Sequence, residues 1–221
     1  METPDLELIY VGDPMCSWCW GFAPAMEAVV KRYSFPVSIV VGGLRPGPAA
    51  ELMDAEMKRY LAHHWHQVEE TTGQGFDHEF FQRDGWTYDT ELPCIATVTM
   101  RTLAPDAVHA FYAKLQRAFY ASNVDITDVA VYPQLLEETP VDADLFIEEM
   151  QSSDMRKATY ADFSRARSLG ANGFPTLLLR DGLDHYMVAR GYVPFDQLDG
   201  ALTGWIESHH PTAADSLVVT I

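Results

Sequence analysis

Residues 8–20 read Leu8-Ile9-Tyr10-Val11-Gly12-Asp13-Pro14-Met15-Cys16-Ser17-Trp18-Cys19-Trp20. The apolar run Leu6–Val11 reads as a strand. A Cys-x-x-Cys then falls where a helical pattern begins, with Phe22, Met26, Val29 and Tyr33 at helical spacing. A strand that delivers two cysteines onto the first turn of a helix is the geometry of a dithiol redox site. The chain holds only three cysteines, so the close spacing of two of them carries weight.

Downstream, Pro24 falls inside the helix and should kink it, because its ring opposes the carbonyl of Trp20. Pro36-Val37-Ser38-Ile39-Val40-Val41 reads as a second strand, apolar enough to be buried on both faces. Strand, helix and strand within this length make a βαβ unit. Gly42-Gly43-Leu44-Arg45-Pro46-Gly47-Pro48 then breaks the pattern.

From about Ala49 to Met150 the sequence reads as mostly helical. Phe111, Leu115, Ala118 and Phe119 form one amphipathic face after a start at Pro105-Asp106. Shorter helices are expected over 127–136 and 142–150, the second capped by Asp142. A helix over 154–168 should end at Gly170. Beyond Phe174-Pro175, a strand at Thr176–Leu179 turns at Asp181-Gly182 and pairs with His185–Ala189. A last helix runs over 194–208, and no element is assigned from Pro211 onward. The expected fold is α/β: a thioredoxin-like domain in two pieces, 1–45 and 153–221, with an inserted helical domain over 46–152.

Bulk composition narrows the function. Fifteen basic against 32 acidic residues give a net charge of −17, which disfavours nucleic acid and anionic membrane surfaces as partners. The acidic start Met1-Glu2-Thr3-Pro4-Asp5 has no feature of a secretory signal, and no apolar stretch reaches the ~18 residues a membrane span needs. A cytoplasmic protein is expected. In a reducing compartment a Cys-x-x-Cys is catalytic or metal-binding more often than a structural staple.

Cys16-Ser17-Trp18-Cys19 on the first helix, with Gly173-Phe174-Pro175-Thr176 just before the third strand, resembles the thioredoxin superfamily. The helical insertion and the stretch Asp13–Trp20 are similar to the DsbA family in its cytosolic FrnE-like branch. The likeness spans essentially the whole chain. It implies a protein dithiol-disulfide oxidoreductase or isomerase that exchanges disulfides with protein or small-molecule thiols through Cys16 and Cys19. It implies no cofactor beyond that redox-active pair, with glutathione a possible cosubstrate. The chain departs from the family in having no histidine in Ser17-Trp18, no second cysteine pair near the C-terminus, and Tyr10 where many relatives carry a buried acid.

Exchange needs a thiolate that attacks a disulfide and a second thiol that resolves the mixed disulfide. At a helix start, unpaired amides and the helix dipole favour the Cys16 anion, and such cysteines titrate from about 3.5 to 7.5 rather than near 8.5. Cys16 is therefore assigned as nucleophile and Cys19 as resolving thiol. Phe174-Pro175 alone would read as an ordinary trans proline before a strand. Beside the cysteine motif, the resemblance makes that bond cis, with Phe174 offering backbone groups to an extended substrate. Trp18, with Ser17, is expected at the substrate face. Trp20 either walls the site or is simply packed.

Remaining residues read more plainly. Cys94, after Pro93, is a buried small hydrophobe. His63 and His66 share a helix face, but nothing nearby in sequence completes a ligand set, so no metal is expected. Arg45, Arg83 and Arg190 read as solvated or ion-paired. A second enzyme class on a similar architecture is the glutathione-dependent isomerase or kappa-type transferase, in which serine usually replaces Cys16. A third class, a structural zinc domain, would need four ligands, and one cysteine pair supplies two.

Overall fold

The computed structural model describes residues 4–219, so the first three residues of the acidic N-terminus lie outside it. The sheet is built around β1 (Leu6–Gly12), whose residues are almost all buried, as befits a central strand covered on both faces. β2 (Val37–Val41) runs parallel to it, with Tyr10 opposite Ile39. On the other side β5 (Thr176–Asp181) runs antiparallel, with Tyr10 opposite Leu177. β6 (Asp184–Arg190) closes the sheet as a hairpin partner, in the order β2-β1-β5-β6. Gly182 takes a positive φ of 56° in that hairpin turn, a conformation a side chain disfavours. The two outer pieces of the chain thus join in one sheet, as expected.

Alternation along β1 separates two layers. Leu8 and Tyr10 face the larger core with Phe22, Met26 and Val29 of α1 (Ser17–Arg32) and Leu198, Leu202 and Ile206 of α8 (Phe195–His209). Ile9 and Val11 face the opposite way, with Val40, Leu178 and Ala166 of α7 (Ser153–Ser168).

Between β2 and α7 the chain forms α2 (Ala55–Thr72), α3 (Glu91–Leu103), α4 (Val108–Ser122), α5 (Tyr132–Leu135) and α6 (Ala143–Met150). An aromatic cluster centres on Trp65, whose ring lies 4.9 Å from Phe80 and 5.3 Å from Tyr120. Asp142 caps α6 through Leu145 N–H, and Gly170 follows α7 with φ 76°. This segment also contains a two-stranded ladder of β3 (Glu51–Leu52) and β4 (Thr87–Tyr88), which the sequence does not announce. Two residues per strand are too few for alternation to show. The helix expected over 127–136 splits into a 3-10 turn, Val129–Val131, and the single turn of α5. Pro133 has no N–H to carry a helix across that point. The stretch after Pro211, left unassigned from sequence, forms α9 (Ala214–Leu217) and a bridge between Val218 and Tyr33.

One polar staple fixes the helical segment to the sheet. Arg101 of α3 grips Asp162 of α7 through two bonds of 2.7 and 3.0 Å and also donates to the Ile39 carbonyl at 2.6 Å. Asp162 in turn accepts from Val41 N–H at 3.1 Å. The buried carboxylate is thereby matched by a bidentate guanidinium, the geometry that offsets the cost of burying charge.

Candidate active site

Helix α1 begins at Ser17, which makes Cys16 its N-cap, with extended backbone at φ −92° and ψ 116°. Trp20 N–H is the first to bond back, to the Cys16 carbonyl at 3.0 Å, so the amides before it have no intrahelical acceptor. No acidic residue occupies the first turn to offset the positive end of the dipole.

The loop before the helix is held from three directions. Asp13 is fully buried and accepts from Met15 N–H at 2.8 Å, from Leu44 N–H at 2.7 Å and from the Cys94 thiol at 3.4 Å. Tyr88 donates its hydroxyl to the Met15 carbonyl. One carboxylate thus ties the loop before α1 to the loop after β2 and to α3. Burial pushes the Asp13 carboxyl up, although its amide donors pull the other way.

The Cys16 and Cys19 sulfurs are not joined in a disulfide, and both residues are buried, at 6% and 0% exposure. The Phe174–Pro175 peptide bond is cis. The loop that carries it meets the cysteine pair: the Cys16 thiol donates to the Phe174 carbonyl at 3.6 Å. Structure therefore brings Cys16, Cys19, Phe174 and Pro175 together. Ser17 and Trp18 are half-exposed beside them, with the Trp18 ring 6.3 Å from Tyr192. Trp20 is a packed residue, 4% exposed, stacked on Tyr120 and donating to the Gly75 carbonyl at 3.1 Å.

Opposing influences act on Cys16 in this arrangement. Interaction with Cys19 is the largest influence and burial the next, and together they push the Cys16 thiol well above its ordinary range. The Cys19 backbone N–H acts in the opposite direction and is outweighed. Two adjacent buried sulfurs cannot both carry charge, so the pair retains a proton. The Cys16 sulfur points at a carbonyl.

Several site residues carry no signal in the sequence. Gly42 leaves a slot for the Phe174 ring: a Cβ there would lie 2.0 Å from two of its ring atoms. Gly43, at φ 70°, would meet Phe163 at 2.9 Å. The two glycines read from sequence only as a break, yet Gly42 seats the cis-proline loop and Gly43 lets α7 approach through Phe163. Asp13 supplies a buried acid three residues beyond Tyr10, and its place beside Pro14 in the motif was the one available hint. Cys94 is buried as expected, but as a hydrogen-bond donor to Asp13 rather than an inert filler. His66 does not join His63, which meets Gln67 at 3.1 Å. Instead His66 and His78 both lie against Glu69, at 3.2 and 3.0 Å.

A strand-first cysteine pair at a helix N-terminus, faced by a cis-proline loop on a β2-β1-β5-β6 sheet, defines a class of protein. A family model described as Thioredoxin matches residues 9–188, and the chain belongs to the thioredoxin family. Its fold is that of the DsbA-like members, with the helical segment between β2 and α7.

Among particular proteins, the chain is similar to a putative protein disulfide isomerase from Nitrosomonas europaea. Identity is 37% over 94% of this chain and 100% of that one, with a TM-score of 0.85. The cytosolic disulfide reductase DsbM from Pseudomonas aeruginosa shares the fold at 24% identity and a TM-score of 0.76, over 91% and 99% of the two chains. A curated relative is the ClpXP adapter protein SpxH of Bacillus subtilis (strain 168), 24% identical over 175 residues and 78% of this chain. Another is SpxH of Halalkalibacterium halodurans, 22% identical over 197 residues and 86% of this chain. The chain spans only 57% and 64% of the length of these two curated relatives. Among the described residues, no helix is long and apolar enough to cross a membrane.

Proposed function

We propose that the chain is a thiol-disulfide oxidoreductase or isomerase that works on protein or small-molecule thiols in the cytoplasm. The observation that carries this reading is the Cys16 sulfur, 3.6 Å from the Phe174 carbonyl at the cis-proline loop, with Cys19 one turn behind it. Cys16 is the nucleophile. As a thiolate it attacks one sulfur of a substrate disulfide, forming a mixed disulfide and releasing the other sulfur as a thiolate. Cys19, deprotonated in its turn, attacks the Cys16 sulfur and releases the second substrate thiolate. Two electrons pass to the substrate, and the protein is left with a Cys16–Cys19 disulfide. Run backward, the same steps oxidise a dithiol.

Phe174 and Pro175 seat an extended peptide by strand addition, with Trp18 and Ser17 at its side. No cofactor is needed beyond the cysteine pair. Glutathione fits as cosubstrate, an idea supported by the fold shared with a DsbM structure described as holding GSH. The helical segment, taken as an inserted domain over 46–152, supplies Tyr88 and Cys94 to the loop before Cys16.

Insulin reduction and refolding of a scrambled disulfide protein test the reading. Cys16→Ser should abolish both, and full activity in that variant would overturn it. The name of the SpxH relatives favours a second reading, in which the chain presents another protein to a protease. Capture of a protein partner that is indifferent to Cys16→Ser, by a chain with no exchange activity, would favour that role.

A further inference from the structure

Helices α1 and α4 part around a cavity of about 550 Å³, inside the range of small-molecule sites. The α1 residues that line it recur at helical spacing from Trp20 to Lys31, and buried Tyr10 and Ile39 of the sheet contribute as well. Much of the wall is apolar, including Met26, Val30 and Ile39.

Gln116 lies on this cavity at 1% exposure, and its Nε2 is buried without a hydrogen-bond partner. Buried polar atoms are paired in the great majority of cases, so this orphan calls for a partner inside the cavity. A side-chain amide N–H is a donor, and what fills the space must therefore offer an acceptor. The buried hydroxyls of Tyr10 and Tyr112 instead lie together beside Gly12, and Tyr10 faces Cys19.

Charge around the cavity points the same way. The chain carries −17 overall, yet the lining holds Lys31, Lys114 and Arg117 against a single acid, Glu27. Lys31 is paired with Glu27 at 2.7 Å, and Lys114 donates to the Glu137 carbonyl at 2.8 Å. Arg117 makes no ion pair or hydrogen bond among the described residues, and its guanidinium lies 5.9 Å from the Trp20 ring. Arg117 is exposed at the rim, and without a contact ion pair its guanidinium is available to an anion.

We propose that the cavity between α1 and α4 binds a small anionic amphiphile, a carboxylate with an apolar body. Gln116 Nε2 and Arg117 take its oxygens, and the Met26, Val30 and Ile39 surface takes its hydrocarbon. The cavity shares Tyr10 with the surroundings of Cys19, and its binding is tested without the exchange chemistry.

Sodium octanoate, with octanol as the neutral control, tests this on the full chain by calorimetry and by Trp20 fluorescence. Octanoate should bind once per chain with a dissociation constant of about 0.1 mM or tighter, ordinary for a ligand of that size. Octanol should bind at least ten-fold more weakly. Arg117→Glu should weaken octanoate at least ten-fold and leave octanol unchanged. Ala113→Trp, placing a large ring in the cavity from an exposed helix position, should abolish binding of both, with the unfolding midpoint confirming a folded chain. No octanoate binding, which would mean a cavity holding water alone, overturns the proposal. So does binding indifferent to both substitutions, or octanol binding as tightly as octanoate.

Discussion

Gln74 donates its side-chain amide to the Trp20 carbonyl across 3.0 Å, where the chain lacks the amide that Pro24 cannot supply. The carbonyl released by a proline inside α1 is thus satisfied from the loop after α2. That loop also takes the Trp20 indole N–H on the Gly75 carbonyl. Backbone chemistry one turn past the cysteines is therefore settled by the helical segment, not by α1 alone.

This bond gives a double-mutant cycle. Gln74→Ala should cost ~1 kcal/mol, the loss of one partly buried hydrogen bond. In a Pro24→Ala background the helix supplies its own amide to Trp20, and the same substitution should cost much less. Urea unfolding of the four proteins reads the difference. Equal cost in both backgrounds would contradict the role given to Gln74.

Gly42→Ala tests the seat of the cis-proline loop. The added carbon lands 2.0 Å from the Phe174 ring, so the ring must leave its slot. Overpacking of this kind costs ~1–3 kcal/mol, and exchange activity should fall at least ten-fold as the loop shifts. Adding Phe174→Ala should return most of the stability. No change on Gly42→Ala, in either melting or exchange, would remove the packing argument.

Much of the fold was legible because its signals are local. The apolar run Leu6–Val11, the helical spacing from Phe22 to Tyr33 and the Asp181-Gly182 turn each state their element within a dozen residues. The cis-proline loop was legible from Phe174-Pro175 only in company with Cys16 and Cys19. What escaped notice depends on contacts across the chain. Asp13 matters through Leu44 and Cys94, Gly42 through Phe174, and Gln74 through Trp20, and no window of sequence holds both partners. The influences that oppose the helix start at Cys16, burial and the Cys19 thiol, are likewise set only in the folded chain.

Asp13 should leave a mark on the pH dependence of stability. Burial raises its carboxyl above the ordinary 3.8. Between the ordinary and raised values the folded chain binds more protons than the unfolded chain, so its contribution to stability falls as pH rises through that window. Asp13→Asn has no such proton to lose and should flatten the decline. Unfolding free energies measured from about pH 4 to pH 7 check this, and an unchanged slope would show that Asp13 is not held in this way.

Arg101→Met should be the most destabilising of these substitutions. It leaves Asp162, 8% exposed at its side chain, as a buried charge without its guanidinium, a loss worth ~3–5 kcal/mol. Denaturant unfolding should show it. Arg101→Met/Asp162→Leu should recover a large part, because neither charge is then buried alone. A single variant as stable as the parent would mean that the staple contributes nothing.

The most direct test of the whole account is the site of a trapped mixed disulfide. Cys19→Ser protein, incubated with a peptide disulfide, digested and read by mass spectrometry, should carry the peptide on Cys16 in near-stoichiometric yield, with Cys94 unmodified. Peptide on Cys94, or no adduct from a protein whose parent exchanges disulfides, would contradict the assignment of Cys16 as nucleophile and Cys19 as the thiol that releases it.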